Sequence, residues 1–142
     1  MILHRGRLID HIQLRARDFP ATAKFYRAVL GALDCPLLAD DDWHIACDEL
    51  WIDALGEDES EATHVHLAFQ ANDEEAVKRF YEAGLAAGGR DNGGPGIRSY
   101  HPGYYAAFLF DPDGNNVEAV FQGAAPRSVA SVEIDIGEQS PL

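Results

Sequence analysis

The sequence predicts an α+β domain made of two similar halves, and three patterns lead to this fold class. Short runs of alternating apolar and polar residues, typical of half-buried strands, are interleaved with two longer stretches whose apolar residues recur at helical spacing. The order of the elements is β-α-β-β followed by β-α-loop-β-β, so the second half of the chain repeats the order of the first. The two helical stretches also carry the similar motifs "FYRAVLGAL" and "FYEAGLAAG".

The first half opens with the alternating segment 7–16, which predicts a strand. A helix follows, because Asp18 is a good N-cap residue and Pro20 suits a first helical turn. Gly31 is expected to end this helix. The apolar stripe of the helix is formed by Phe25, Tyr26, Val29 and Leu30. Two short strands are predicted in "WHIAC" and "ELWIDAL".

The second half repeats this order. Residues 63–71 form a strand, and Asn72 or Asp73 caps a second helix that Gly88 and Gly89 end. The stripe of this helix is formed by Val77, Phe80, Tyr81 and Leu85. A Gly/Pro-rich loop, "DNGGPGIRSYHPG", leads to the strands "YYAAFLF" and "NVEAVFQ". Asp113-Gly114 between these two strands predicts a hairpin.

The predicted domain covers residues 7–122, with units at approximately 7–58 and 62–122. Residues 123–142 form a C-terminal extension in which "VASVEIDI" alternates and predicts an extra strand, at a sheet edge or a dimer contact. A chain of 142 residues is long enough for one core.

The composition excludes several function classes. The formal charge is −13 and the pI about 4.6, so we expect no nucleic-acid or anionic-membrane partner. The N-terminus lacks the apolar core of a signal peptide, which favours a cytoplasmic location. The two cysteines, Cys35 and Cys47, are too few for a disulfide scaffold and are expected to be reduced.

Three of the predicted strands carry residues of the types that bind divalent metals in proteins. They are His11 on the first, His64 and His66 on the second and Glu118 on the third. The period of two puts His64 and His66 on one face of their strand. A carboxylate within "NVEAVF" needs a partner if it is buried, and otherwise belongs on an exposed edge strand. His4 and His44 are expected at the surface.

The segments "IDHIQL", "FYRAVLGAL", "HVHLAF" and "YYAAFLFDPDGNNVEAV" resemble the vicinal oxygen chelate superfamily, also called the glyoxalase/bleomycin resistance family. The resemblance extends over residues 7 to about 122. It implies paired βαβββ units forming a U-shaped, mostly antiparallel sheet around a metal and ligand cleft, with the helices outside. It also implies that His11, His66 and Glu118 bind the metal and that His64 is their neighbour.

Two imidazoles and a carboxylate suit Zn, Ni, Fe, Mn or Co. Such a site leaves positions for two adjacent substrate oxygens and for Lewis-acid chemistry. The resemblance therefore implies a metal-dependent enzyme of lyase or isomerase type acting on a small oxygenated substrate. The candidate catalytic residues are Asp53, Glu49 and Tyr100. The candidate substrate-binding residues are His64, Arg98, His101 and Tyr104.

Two alternatives stay open. One is a metal-free protein of the same fold that binds or sequesters a small molecule or antibiotic. The other is a dioxygenase or a thiol transferase of the same superfamily. A homodimer is expected, because most soluble oligomers are symmetric dimers. The sequence leaves open whether one chain or two chains form the site.

Overall fold

The computed structural model describes residues 2–6, 9–124 and 126–135. These residues form two helices and eleven strands. In chain order they are β1 (Ile2–Arg5), β2 (Ile12–Ala16), α1 (Phe19–Ala32), β3 (Ala39–Asp40), β4 (His44–Cys47), β5 (Leu50–Ala54), β6 (His66–Gln70), α2 (Glu74–Ala86), β7 (Arg90–Asp91), β8 (Gly96–Ile97), β9 (Tyr105–Phe110), β10 (Asn116–Phe121) and β11 (Val132–Asp135).

The two halves have the same topology. The first sheet has the order β2-β5-β4-β3, and the second has the order β6-β10-β9-β7 with β8 added beside β9. In each half the first strand pairs in parallel with the last strand, and the other pairs are antiparallel. The prediction of an α+β fold built from two βαβββ units is therefore confirmed. Residues 7 and 8 of the predicted first strand lie outside the described residues.

One hydrophobic core joins the two units. Asp18 caps α1 through the amide of Ala21, and Asp73 caps α2 through the amide of Ala76. The stripe residues of α1, together with Val77 and Phe80 of α2, are buried against the helix-facing sides of the sheets. Burying a side chain of this size contributes about 1.5–3 kcal/mol. We call the other side of each sheet, which the helices do not cover, its open face.

Two predicted helix features are wrong. Gly31 does not end α1, because the chain reverses later, at Asp34, whose φ is 57°. Leu85 is exposed, and the buried position is Gly84. A Cβ at Gly84 would lie 2.2 Å from Cδ1 of Leu109, so only glycine allows α2 to approach β9 this closely.

The hairpin at Asp113-Gly114 is confirmed, and it is held by a buried polar network around Asp111. The Asp111 carboxylate accepts hydrogen bonds from Tyr26 Oη at 2.6 Å, from Asn115 Nδ2 at 2.7 Å and from the amides of Asp113 and Asn115 at 2.9 Å. The Asn115 side-chain oxygen accepts from the amide of Val65 at 2.8 Å. The hairpin is thereby tied to α1 of the first unit and to the start of β6.

The C-terminal extension and the loop before β9 add two features. β11, in the predicted extra strand, pairs with β1; residues 136–142 lie outside the described residues. The predicted loop at 91–103 contains β8 and the end of β7, so it is more regular than expected. Among the described residues no helix is long and apolar enough to cross a membrane.

Candidate functional site

Glu118 is buried at the centre of the second sheet. Its strand, β10, lies between β6 and β9, and the residue is 3% exposed. The alternative of an exposed carboxylate on an edge strand is therefore wrong. A buried carboxylate requires compensating partners. One of them is Tyr104, whose hydroxyl donates a hydrogen bond to Glu118 Oε1.

The second partner of Glu118 is His66. Nε2 of His66 lies 3.1 Å from Glu118 Oε2, and Nδ1 lies 3.0 Å from the carbonyl oxygen of Asn116. Because a carbonyl oxygen only accepts, Nδ1 carries a proton and donates it. Nε2 of a neutral imidazole then presents a lone pair to a carboxylate oxygen. These two atoms repel each other unless a shared proton or a cation lies between them.

A divalent metal fits this pair. Imidazole nitrogen and carboxylate oxygen are ligands for Zn²⁺ and its neighbours in the first transition row. Two such ligands bound to one ion at tetrahedral or octahedral angles lie about 2.9–3.5 Å apart, and the observed separation is 3.1 Å. The bond from Nδ1 to a main-chain carbonyl is also the outer contact that usually orients a metal-binding histidine.

His11 lies on the other unit, immediately before β2. Its Nδ1 is 2.7 Å from Oδ1 of Asp10, and its side chain is 70% exposed. Because a carboxylate accepts, Nδ1 donates, and Nε2 of the neutral ring is left with the lone pair, as in His66. Within residues 2–6, 9–124 and 126–135 of one chain, no three His, Cys, Asp or Glu side chains form a metal-binding group. One chain thus brings together two of the three predicted ligands.

The strand registers explain why the first unit offers no counterpart of Glu118. In the second unit the residue two positions after His66, Ala68, lies opposite Glu118. In the first unit the residue two positions after His11, Gln13, lies opposite Trp51. An indole therefore occupies the place of the carboxylate.

The predicted catalytic carboxylates lie near this indole. Asp53 lies two residues after Trp51 in β5, on the same face of the strand. It accepts hydrogen bonds from Gln13, Arg15 and Trp51 at 2.8–3.1 Å. Glu49 lies in the turn before β5 and lines a cavity of about 410 Å³ that His11, Gln13, Trp51 and Asp53 also border. Of the two predicted catalytic carboxylates, Asp53 is thus the one whose oxygens are engaged in hydrogen bonds with neighbouring side chains.

The loop before β9 brings the remaining predicted residues toward Glu118. The guanidinium of Arg98 lies 5.3 Å from the ring centroid of Phe108, the cross-strand neighbour of Glu118, and donates to the carbonyl of Gly94 at 2.7 Å. Tyr100, which is 72% exposed, packs edge-on against Tyr104. The residue His64 is exposed and precedes β6 rather than lying within it.

His101 supports Tyr104 from the other side. Its ring contacts Tyr104 edge-on, and its nitrogens lie 2.5 Å from Gln122 Oε1 and 2.9 Å from the carbonyl of Pro102. The hydrogen bond with Gln122, and then the one with Pro102, raises the pKa of His101. Burial and the bond to Glu118 raise the pKa of Tyr104 to about 12. The phenol therefore keeps its proton at neutral pH and stays a donor to Oε1.

Tyr104→Phe is expected to weaken metal binding by about 10-fold, because outer contacts of this kind orient a ligand and typically contribute 10–100-fold. The affinity is measured by competition with a chelating dye. The control is Tyr100→Phe, because Tyr100 packs against the Tyr104 ring, whereas the hydrogen bond to Glu118 comes from the Tyr104 hydroxyl. Equal affinities in the two variants would contradict an orienting role for Tyr104.

The structure adds an aromatic group that the sequence did not indicate. His44, expected at the surface, is 4% exposed and lies between Trp43 and Trp51, with ring centroids 3.6 and 4.4 Å away. Its Nδ1 is 3.0 Å from Asp41 Oδ1. His44 lies on the open face of its sheet, but the two tryptophans cover its ring. The prediction that His44 is at the surface was therefore wrong. His4 is exposed, as predicted.

Solved structures with the same fold come from several bacteria. A glyoxalase/bleomycin resistance protein from Albidiferax ferrireducens is 29% identical, with a TM-score of 0.68 over 80% of this chain and 98% of that one. A glyoxalase-related enzyme from Fulvimarina pelagi is 18% identical, with a TM-score of 0.67 over 90% and 97%. The lactoylglutathione lyase from Agrobacterium tumefaciens is 18% identical, with a TM-score of 0.56 over 81% and 93%.

The family assignment depends on a match along most of the sequence. A search among curated proteins finds no significant match. The family model described as glyoxalase/bleomycin resistance protein/dioxygenase superfamily, in contrast, matches residues 8–119. This range includes His11, His66 and Glu118, the whole first βαβββ unit and all of the second except the last two residues of β10. The chain therefore belongs to the glyoxalase/bleomycin resistance protein/dioxygenase superfamily.

Proposed function

We propose that the protein is a metal-dependent enzyme of glyoxalase type, a lyase or isomerase that acts on a small substrate with two adjacent oxygens. The observation that carries this proposal is the contact between His66 Nε2 and Glu118 Oε2, with Nδ1 of His66 bonded to the Asn116 carbonyl. Tyr104 holds the other oxygen of Glu118. The pair is thus oriented from both sides toward a common cation.

We further propose that His11 of a second copy completes the site. His11 and the pair lie on the open faces of different sheets. Nδ1 of His11 is bonded to Asp10, which leaves Nε2 as the nitrogen with the lone pair, the arrangement expected for a ligand. Large apolar side chains are exposed around both faces. They are Leu38 and Trp43 on the first unit and Ile97 and Tyr100 on the second. A symmetric dimer that joins the faces would cover them and form two equal sites.

In this site a bound divalent ion supplies Lewis acidity to the two substrate oxygens. The residues of the chain then have separate tasks. Glu49, which lines the cavity beside His11, is our candidate for moving the proton. Asp53 positions Gln13 and Trp51 through its hydrogen bonds. Tyr104 keeps Glu118 oriented, and Tyr100 packs on Tyr104 at the entrance.

Arg98 selects substrates that carry an anionic group besides the chelating oxygens. We expect Arg98→Gln to weaken the binding of 2-hydroxyglutarate to the metal-loaded protein by roughly 10-fold, since a hydrogen bond to a charged group contributes about 1.5–3 kcal/mol. Binding is measured by titration calorimetry.

2-Hydroxypentanoate has the same chelating end without the distal carboxylate, and its affinity is expected to stay constant. Arg90→Gln is the matched control, because Arg90 stacks in the same way on Phe110, at the end of β9. A loss of equal size with both ligands would contradict the role of Arg98.

Elemental analysis of the purified, untagged protein before and after chelation tests the proposal. We expect about one divalent ion per chain, which His66→Ala loses and His64→Ala retains. Iron would direct assays toward dioxygen chemistry, whereas nickel, zinc or manganese would direct them toward isomerisation or addition. A protein that contains no metal and takes up none of these ions would contradict the proposal.

A second candidate function is supported by one observation. Trp51 lines a cavity together with Asp48, Glu49 and Asp53. The ring of His44 lies between Trp51 and the exposed Trp43. Aromatic faces beside carboxylates suit a planar organic cation. A binding protein of this kind would show quenched tryptophan fluorescence with such a cation, equally with and without metal. Quenching that Trp43→Ala abolishes, in a protein without metal, would favour this candidate over the enzyme.

A further inference from the structure

The two cysteines meet at the boundary between the two units. Cys35 follows α1, and Cys47 ends β4. Both side chains line a second cavity of about 300 Å³, and the Cys35 thiol donates a hydrogen bond to the carbonyl of Leu33 at 3.8 Å. Residues 67–70 of β6 also line this cavity. Both thiols thus border one space that is large enough for small molecules.

The two thiols have different environments. Cys47 is 5% exposed and belongs to the hydrophobic core, whereas Cys35 is partly exposed. The hydrogen bond from Cys47 lowers the pKa of Cys35, although burial and the carboxylates of Asp48, Asp34 and Glu49 oppose this effect, and the same bond raises the pKa of Cys47. Cys35 is therefore the better nucleophile of the pair, and Cys47 is placed to react with it in a second step.

We propose that Cys35 and Cys47 form an oxidisable dithiol that closes to an intramolecular disulfide when a small hydroperoxide enters the cavity. The Cys35 thiolate attacks the outer peroxide oxygen, which leaves Cys35 as a sulfenic acid and releases an alcohol or water after protonation. The Cys47 sulfur then attacks the Cys35 sulfur, the S–O bond breaks, and water leaves with the Cys47 proton. The two thiols lose two electrons, and the peroxide gains them.

The disulfide would act on the turn that supports His11. Cys47 adjoins the Asp48–Glu49 turn, in which Asp48 has a φ of 47°. The carbonyl of Glu49 accepts a hydrogen bond from the amide of Ile12 at 2.6 Å, and Ile12 follows His11 directly. A covalent bond at Cys47 restrains this turn. We therefore expect oxidation to slow hydrogen exchange at the amide of Ile12.

The test treats the reduced, full-length protein with stoichiometric hydrogen peroxide under native conditions. We expect the intact mass to fall by two hydrogen atoms, peptide mapping to find Cys35 joined to Cys47, and dithiothreitol to restore both thiols. Slower exchange in the peptide that contains Ile12 is expected in the oxidised protein only. Because these readouts need no metal, they are independent of the proposed enzymatic function.

Two variants separate the steps. Cys47→Ala is expected to stop at a Cys35 sulfenic acid that dimedone traps, and Cys35→Ser is expected to stay unmodified. The proposal would be overturned if the native protein kept both thiols, if it cross-linked two chains instead, or if the Cys35–Cys47 bond formed only after unfolding in urea. Unchanged exchange at Ile12 in the oxidised protein would overturn the proposed effect on the turn.

Discussion

Replacing Glu118 with glutamine is expected to lower the affinity of the proposed site for a divalent metal by about 100-fold or more, with the fold retained. Glutamine keeps the size of the side chain and still accepts the hydrogen bond from Tyr104. It removes the negative charge that lies 3.1 Å from His66 Nε2. Loss of an outer contact already lowers affinity by about 10–100-fold, so loss of a ligand charge should have a larger effect.

The affinity of the Glu118→Gln protein is measured by competition with a chelating dye, and its folding is checked by circular dichroism. Asp53→Asn is the matched control, because it makes the same change on the open face of the other sheet, where Asp53 binds Gln13, Arg15 and Trp51. We expect the control to retain metal binding. Full metal occupancy in the Glu118→Gln protein would exclude Glu118 as a ligand.

Asp111→Ala is expected to lower the free energy of unfolding by about 3–5 kcal/mol, because it leaves buried donors without partners. The Asp111 carboxylate accepts from the Tyr26 hydroxyl and from the side chain and amide of Asn115. The side chains of Tyr26 and Asn115 are almost fully buried, so water does not replace the lost bonds. Urea denaturation measures the change.

Asp113→Asn, in the same hairpin, is the control for Asp111→Ala. The contacts of Asp113 are longer, at 3.3–3.4 Å to Arg17 N and Thr22 Oγ1. Burial raises the pKa of Asp113. Because the folded protein binds the proton of this carboxyl more tightly than the unfolded chain does, the free energy of unfolding falls as the pH rises through the carboxyl pKa of the folded state. The side-chain amide of Asn does not ionise, so the Asp113→Asn protein should keep or slightly increase its stability at pH 7. If Asp113→Asn destabilised the protein as much as Asp111→Ala, the hairpin as a whole, rather than Asp111, would hold the units together.

Local sequence patterns predicted the elements well where local interactions determine them. Asp18 and Asp73 cap the two helices, and Asp113-Gly114 forms the predicted hairpin. The failures occur where tertiary contacts decide. Gly84 is buried because Leu109 approaches it, and β8 forms because β9 offers a partner. Neither effect appears in the periodicity of the segment itself.

The candidate site was predicted in part for the same reason. His66 and Glu118 lie on neighbouring strands of one unit, and the structure brings them together. The assignment of His11 remains a prediction, because the described part of one chain does not group it with the pair. That Trp51 occupies the register position of Glu118 depends on strand pairing, and it was not visible in the linear sequence. The role of Asp10 in orienting His11 was also missed, although the two residues are adjacent.

The proposed metal site consists of His66 and Glu118 of one chain and His11 of a second copy. The most direct test mixes the His11→Ala and His66→Ala proteins, each of which is expected to bind little metal alone, and allows the subunits to exchange. In a symmetric dimer a mixed pair has one intact site and one site without either histidine. With random exchange of equal amounts, half of the dimers are mixed, so about one quarter of the wild-type metal content should return. Recovery of this metal is the predicted result, and a mixture that binds no more metal than the separate variants would contradict the shared site.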